Sequence, residues 1–101
     1  MEKQPAVYIM GKFRNGAIYT GVTSNLLQRV YQHRESIFSG FTKRHSVKRL
    51  VWFEIHETME SAIQREKQIK NWKRKWKLAL IEEDNATWRD LAEDLGFDPL
   101  D

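Results

Sequence analysis

The sequence predicts an α+β domain: a small three-stranded antiparallel sheet flanked by helices. Three observations predict it. Two β-rich runs, AVYIM at 6–10 and IYTGV at 18–22, flank a segment holding Asn15-Gly16, a dipeptide that tolerates the positive φ of tight turns. A third run of strand composition, LVWFEI, occupies 50–55. Elsewhere apolar residues recur at helical spacing, giving the order β-β-α-β-α-α-α.

The first two runs read as a hairpin. If the loop is the two-residue Asn15-Gly16 turn, Tyr19 faces Lys12, and alternation puts Tyr8 and Tyr19 on the same side of the sheet. Residues 24–38 read as a helix capped by Ser24 or Thr23, with Leu26, Leu27, Val30, Tyr31, Ile37 and Phe38 as its apolar stripe. Arg29 and His33, one turn apart, flank that stripe. A basic loop, SGFTKRHSVKR, fills 39–49 and leads into the third strand. Thr58 is placed to cap a helix over about 59–73, with Glu60 favourable in its first turn and a basic continuation, KRKWK then LALI, beyond it. Residues 88–95 read as a short last helix with Thr87 as cap and Gly96 as stop, Trp88, Leu91 and Leu95 forming its buried edge.

The chain has 101 residues, which suits one domain. It contains no cysteine, so disulfide frameworks and cysteine-based zinc or iron–sulfur sites are excluded. Apolar runs are too short to span a bilayer, and the N-terminus lacks the pattern of a secretory signal, so a cytoplasmic protein is expected. The net charge of +3 hides an asymmetry. Residues 1–81 carry 16 Lys/Arg against 6 Asp/Glu, a balance of +10, whereas residues 82–101 carry 1 against 8, a balance of −7. A body so basic points to a polyanionic partner, and the acidic tail can pack on it or extend it.

Glu66 carries the most chemical information. On a helical wheel it falls at the centre of the stripe made by Met59, Ala62, Ile63 and Ile69, and Lys70, Lys73 and Lys77 continue the same face. A carboxylate there is paired, protonated or at a cleft. An ion pair to Lys70 and a functional role are both open on spacing alone. Strand tyrosines such as Tyr8 and Tyr19 are usually core or rim residues, and a helical His is usually structural. The basic run Arg65–Lys77 has Trp72 and Trp76 interleaved, an arrangement suited to phosphate contact and stacking, although the two Trp read better as core.

Together these residues resemble the GIY-YIG nuclease superfamily, and within it the small stand-alone members. Val7-Tyr8-Ile9 matches the first signature half, with Ala6 in place of Gly. Tyr19-Thr20-Gly21 matches the second, with Thr for Ile. The segment Gly21–Arg29 ends in the family's helical arginine, and Glu66 in REKQIK matches its metal-binding glutamate. The resemblance covers about residues 5–80, so residues 1–84 are expected to form the GIY-YIG-like nuclease domain and 85–101 an acidic helix and tail on or beyond it. It implies hydrolysis of phosphodiester bonds with one Mg²⁺ or Mn²⁺ held by Glu66. Tyr19 would help deprotonate the attacking water, Tyr8 would orient phosphate or water, Arg29 would neutralise charge on the phosphate, and His33 would serve proton transfer or phosphate contact. Two positions depart from the excision-repair relatives: Val22 replaces a Lys, and Leu78 replaces an Asn.

The implied partner is nucleic acid, DNA before RNA, with no membrane and no small-molecule cofactor. Lys43, Arg44, Lys48 and Arg49 on the loop and Lys70, Lys73, Arg74 and Lys77 near the helix are the expected binding residues. Such a surface gives salt-sensitive binding and favours substrate structure, such as branches, flaps or single strands, over base sequence. Besides a metal-dependent endonuclease of DNA repair or processing, two other readings fit: a nucleic-acid-binding module with little turnover, and an interaction domain for an acidic protein.

Overall fold

The computed structural model describes residues 4–35 and 46–100. Three strands, β1 (Ala6–Gly11), β2 (Ile18–Thr23) and β3 (Arg49–Ile55), form one antiparallel sheet in the order β2-β1-β3. Helix α1 (Leu26–Arg34) follows β2; α2 (Met59–Lys70) and α3 (Arg74–Asp84) follow β3; a 3₁₀ turn, Leu91–Leu95, closes the chain. This is the expected α+β architecture, with the central strand β1 buried along its whole length.

The sheet separates two cores. Ala6, Tyr8 and Met10 project to one side, packing with Leu26 and Val30 of α1 and with Leu50 and Ala92. Val7 and Ile9 project to the other, packing with Ala62 and Ile69 of α2, Ile81 of α3 and Trp88. Because both faces of β1 are covered, its sequence is apolar without alternation.

The hairpin register differs from the expected one. Tyr19 pairs with Met10, and Gly16 N donates to Phe13 O at 2.8 Å, so the tight turn centres on Arg14-Asn15. Asn15 alone supplies the positive φ, at 64°. Gly16 is needed for room, since a Cβ there would lie 3.0 Å from Phe13 O. The pairing moves by two residues, so Tyr8 and Tyr19 still share a face.

Asn25, not Ser24 or Thr23, caps α1; its side chain accepts from Gln28 N at 3.2 Å, while Thr23 Oγ1 accepts from Asn25 N. The buried face of α1 is Leu26, Val30 and His33; Leu27 and Tyr31 are about half exposed, and Ile37 and Phe38 lie outside the described residues. Thr58 caps α2 as expected, accepting from Ser61 N. That helix ends at Lys70, and the chain turns through Asn71–Lys73 before α3, so Lys73 and Lys77 do not continue the Glu66 face. Met59 and Ile63 are also more exposed than the wheel implied, the buried line being Ala62 and Ile69.

The C-terminal segment is not the regular helix expected. Asp90, rather than Thr87, caps the final turn, and Trp88 lies before it in the left-handed region, φ 58°, fully buried. Trp88 belongs to the α2/α3 core, whereas Leu91 and Leu95 pack in the α1 core, so they do not form one edge. This segment covers the outer edge of β3. A bulge between Ile9 and Met10 of the β1–β3 ladder leaves Val51 outside the pairing, and Asn85 Nδ2 donates to Val51 O at 3.1 Å. Asp90 Oδ1 accepts from Leu50 N at 3.0 Å, and Asp90 Oδ2 accepts from Arg34 Nη2 at 2.8 Å. Backbone groups that an edge strand would leave open are thereby satisfied.

Candidate active site

The shared face of β1 and β2 puts Tyr8 and Tyr19 side by side, and α1 lays His33 across them. The Tyr8–Tyr19 ring centroids are 6.3 Å apart, Tyr8–His33 5.6 Å and Tyr19–His33 5.5 Å. Tyr8 Oη and His33 Nε2 share a hydrogen bond of 3.1 Å. Tyr8 reaches this position because Gly21 lies directly opposite on β2 and leaves room for its ring.

The two groups in this hydrogen bond are both held neutral. Burial raises the Tyr8 phenol well above its ordinary range; the charges of Tyr19 and Glu66 add to the effect and Arg29 opposes it. Burial, with the positive charge of Arg29 behind it, lowers His33 to about 4. At neutral pH a protonated phenol therefore meets a neutral imidazole, and the imidazole tautomer decides which of them donates. In either tautomer the pair passes a hydrogen bond without carrying charge.

Arg29 is half-buried on α1, one turn before His33, and its charge acts on both Tyr8 and His33. Glu66 comes from α2, which lies under the opposite face of the sheet, at the β2 edge. Its carboxylate is mostly buried and accepts an ion pair from Lys70 Nζ at 3.0 Å. The same ammonium stands 5.9 Å from the Tyr19 ring centroid. Lys70 thus ties the carboxylate of one helix to the tyrosine of the hairpin.

Five residues singled out in the sequence, Tyr8, Tyr19, Arg29, His33 and Glu66, therefore converge at one end of the β2 side of the molecule. The basic residues are dispersed. Lys70 belongs to the site itself. Lys73 is exposed at the start of α3, and Lys77 is half-buried along it. Arg74 donates to the Asn15 and Gly16 carbonyls at 3.0 and 2.6 Å, tying the hairpin tip to α3. Lys48 and Arg49 are half-buried at the start of β3, where they line a polar hollow with Lys12 and Arg34; Arg49 Nη1 also donates to Trp88 O at 3.4 Å. Lys43 and Arg44 lie outside the described residues.

Two features escaped the sequence reading. Gly21 as a space-maker became visible only in the true hairpin register. Trp76, read as core, is 50% exposed.

Among the described residues, no group of three or more His, Asp or Glu is placed to hold a metal ion. No helix among them is long and apolar enough to cross a membrane.

A family model described as the GIY-YIG catalytic domain matches residues 4–79. The UPF0213 proteins of Staphylococcus aureus strains Mu3 / ATCC 700698 and N315 are each 38% identical over 77 residues, covering 76% of this chain and 93% of the relative. The solution NMR structure of a UPF0213 protein from Bacillus halodurans superposes with a TM-score of 0.55 at 23% identity, over 89% of this chain and 95% of that one, and supports the fold.

Proposed function

Since the chain belongs to the GIY-YIG catalytic domain family, a family of nucleases whose substrate is nucleic acid, we propose that it is a divalent-metal-dependent endonuclease acting on structured DNA, in repair or processing within the cytoplasm. The observation that carries this reading is the convergence of Tyr8, Tyr19 and His33 in ring contact, with the charges of Arg29 and Glu66 acting on them.

The donor set suits a hard, mostly hydrated ion. Glu66 offers one carboxylate, and Mg²⁺ or Mn²⁺ bound that way keeps most of its waters. When bound, the ion supplies Lewis-acid polarisation of a phosphate oxygen. The remaining work falls to the chain. Arg29 presents a planar guanidinium to the charge that grows on the phosphate. Tyr8, kept protonated by burial, holds its oxygen still through His33 and orients phosphate or water. Tyr19 takes the proton of the attacking water after giving its own phenolic proton to solvent, with Lys70 beside its ring as the nearby cation. Val22 supplies no charge next to Tyr19; Lys70 does.

A second reading, a nucleic-acid-binding module with little turnover, draws on the Glu66–Lys70 ion pair, because Lys70 occupies the carboxylate an ion would need. Cleavage assays on branched, flapped, single-stranded and duplex DNA and RNA, with Mg²⁺, Mn²⁺ or chelator, separate the two. The endonuclease reading expects metal-dependent cutting by wild type, lost in folded Glu66→Ala, Arg29→Ala and Tyr19→Phe. Salt-sensitive binding with no cutting of any substrate selects the second reading.

A further inference from the structure

We propose that the surface around Trp76 on α3 is a stacking platform for unpaired bases, so that the preferred substrate carries a single-stranded segment. The proposal deepens the nuclease reading and rests on it.

Trp76 is 50% exposed, although two other tryptophans, Trp52 and Trp88, are buried. A single exposed apolar side chain is ordinary, but a contiguous apolar surface marks a contact site, and Trp76 shares one with Trp72, Ala79 and Leu80. The ring is supported. Trp72 meets it edge-on, with centroids 6.4 Å apart and planes at 78°, and the Arg65 guanidinium stands 5.4 Å from the Trp72 ring. Trp72, Trp76, Ala79 and Leu80 form an open shelf, with Glu83 at its far end.

The charges around the shelf choose its occupant. Lys73 and Lys75 are exposed and Lys77 half-buried, and all three flank Trp76 at the N-terminal end of α3. Glu83 repels phosphate from the other end, which places a polyanion across the start of the helix. Lysine is depleted from the centres of protein–protein interfaces, so an indole with lysines beside it on the helix suits a nucleic acid better than a protein. Bases within a duplex are already stacked on one another; an unpaired strand offers free faces to an indole and phosphates to the lysines.

The shelf and the candidate site flank α2 on its two sides: Arg65, which stands against Trp72, pairs with Glu54 of β3, whereas Lys70 stands over Tyr19 of β2. Lys70 pairs with Glu66 and stands over Tyr19, and only Asn71, Trp72 and Lys73 separate it from α3. Arg74 fastens the start of α3 to the hairpin tip.

The test uses the full chain carrying Glu66→Ala, without metal, titrated with fluorescently labelled oligothymidylate and with a labelled blunt duplex of equal phosphate number. Trp76→Ala is expected to weaken oligothymidylate binding about 5- to 150-fold, the range for losing one stacked base, and to leave duplex binding within about 2-fold. Trp76→Phe, which keeps a ring, retains most of the affinity. Circular dichroism verifies folding, which an exposed side chain does not threaten. Equal affinity of Trp76→Ala and the parent for oligothymidylate overturns the platform while leaving the nuclease reading intact. Failure of the parent to bind either probe overturns both. Sedimentation showing self-association that Trp76→Ala abolishes, with oligothymidylate binding unchanged, assigns the shelf to a second copy and overturns the platform.

Discussion

Gly21 stands directly across the β1–β2 ladder from Tyr8, and a Cβ at Gly21 would lie 2.5 Å from both Cζ and Oη of the phenol. The glycine is required for space. Gly21→Ala must therefore displace Tyr8 from His33 or part the two strands. Overpacking of this kind costs about 1–3 kcal/mol. Urea unfolding should show that loss, and DNA cleavage should fall with it; an unchanged midpoint would show that Tyr8 yields freely.

His33 makes stability depend on pH. Its folded value, about 4, lies below its ordinary 6.5 because burial and Arg29 disfavour the imidazolium. Between those values the unfolded chain binds the proton and the folded chain does not, so acid favours unfolding. The contribution is fully present above pH 6.5 and is lost as pH falls towards 4, amounting to roughly 3 kcal/mol. Denaturation midpoints from pH 7 to 4.5 should fall for the wild type and change less for His33→Gln. Parallel curves would contradict the assignment.

On the endonuclease reading, replacing Glu66 removes chemistry and leaves stability nearly unchanged. Its partner Lys70 is about half exposed, so their i, i+4 pair contributes only about 0.3–0.5 kcal/mol. Glu66→Gln should fold with a nearly unchanged thermal midpoint and lose about 100-fold or more of the metal-dependent cleavage rate. A large drop in midpoint would make Glu66 a structural residue.

Asp90 should behave in the opposite way. One carboxylate serves Arg34, Leu50 N and Ala92 N, and its ion pair with Arg34 is nearly buried. Asp90→Ala strands the Arg34 charge and two backbone donors, at a cost of about 3–5 kcal/mol. Against a total of about 5–15 kcal/mol for a typical domain, that is a large fraction. Thermal unfolding followed by circular dichroism measures it, and cleavage at low temperature by the surviving folded fraction should persist.

The arrangement of the site was legible where a pattern repeats. Alternation along β1 and β2 put Tyr8 and Tyr19 together despite a misplaced turn, because the error was two residues and preserved the face. The strand order and the placement of Trp88 were not legible, since both depend on contacts distant in sequence. On α1, Leu26-Leu27 and Val30-Tyr31 are adjacent pairs that leave the buried side ambiguous. Only the partner Tyr8 selects the side with His33. The wheel through α2 failed past Lys70 because Asn71 stops the helix. Trp76 was misjudged because an indole is most often buried, and exposure is a property of the surface around it.

The covering of β3 has a consequence for synthesis on the ribosome. The strands and the residues Tyr8, Tyr19, Arg29, His33 and Glu66 emerge before Asn85, Trp88 and Asp90. Until those arrive, Leu50 N and Val51 O lack the partners they have in the finished protein. The nascent chain thus passes through an interval in which its sheet has an open border, the state most prone to pairing with another chain. Completion is vectorial: a segment made after the strands closes the vulnerable interval, and any pause in translation before Asn85 prolongs it.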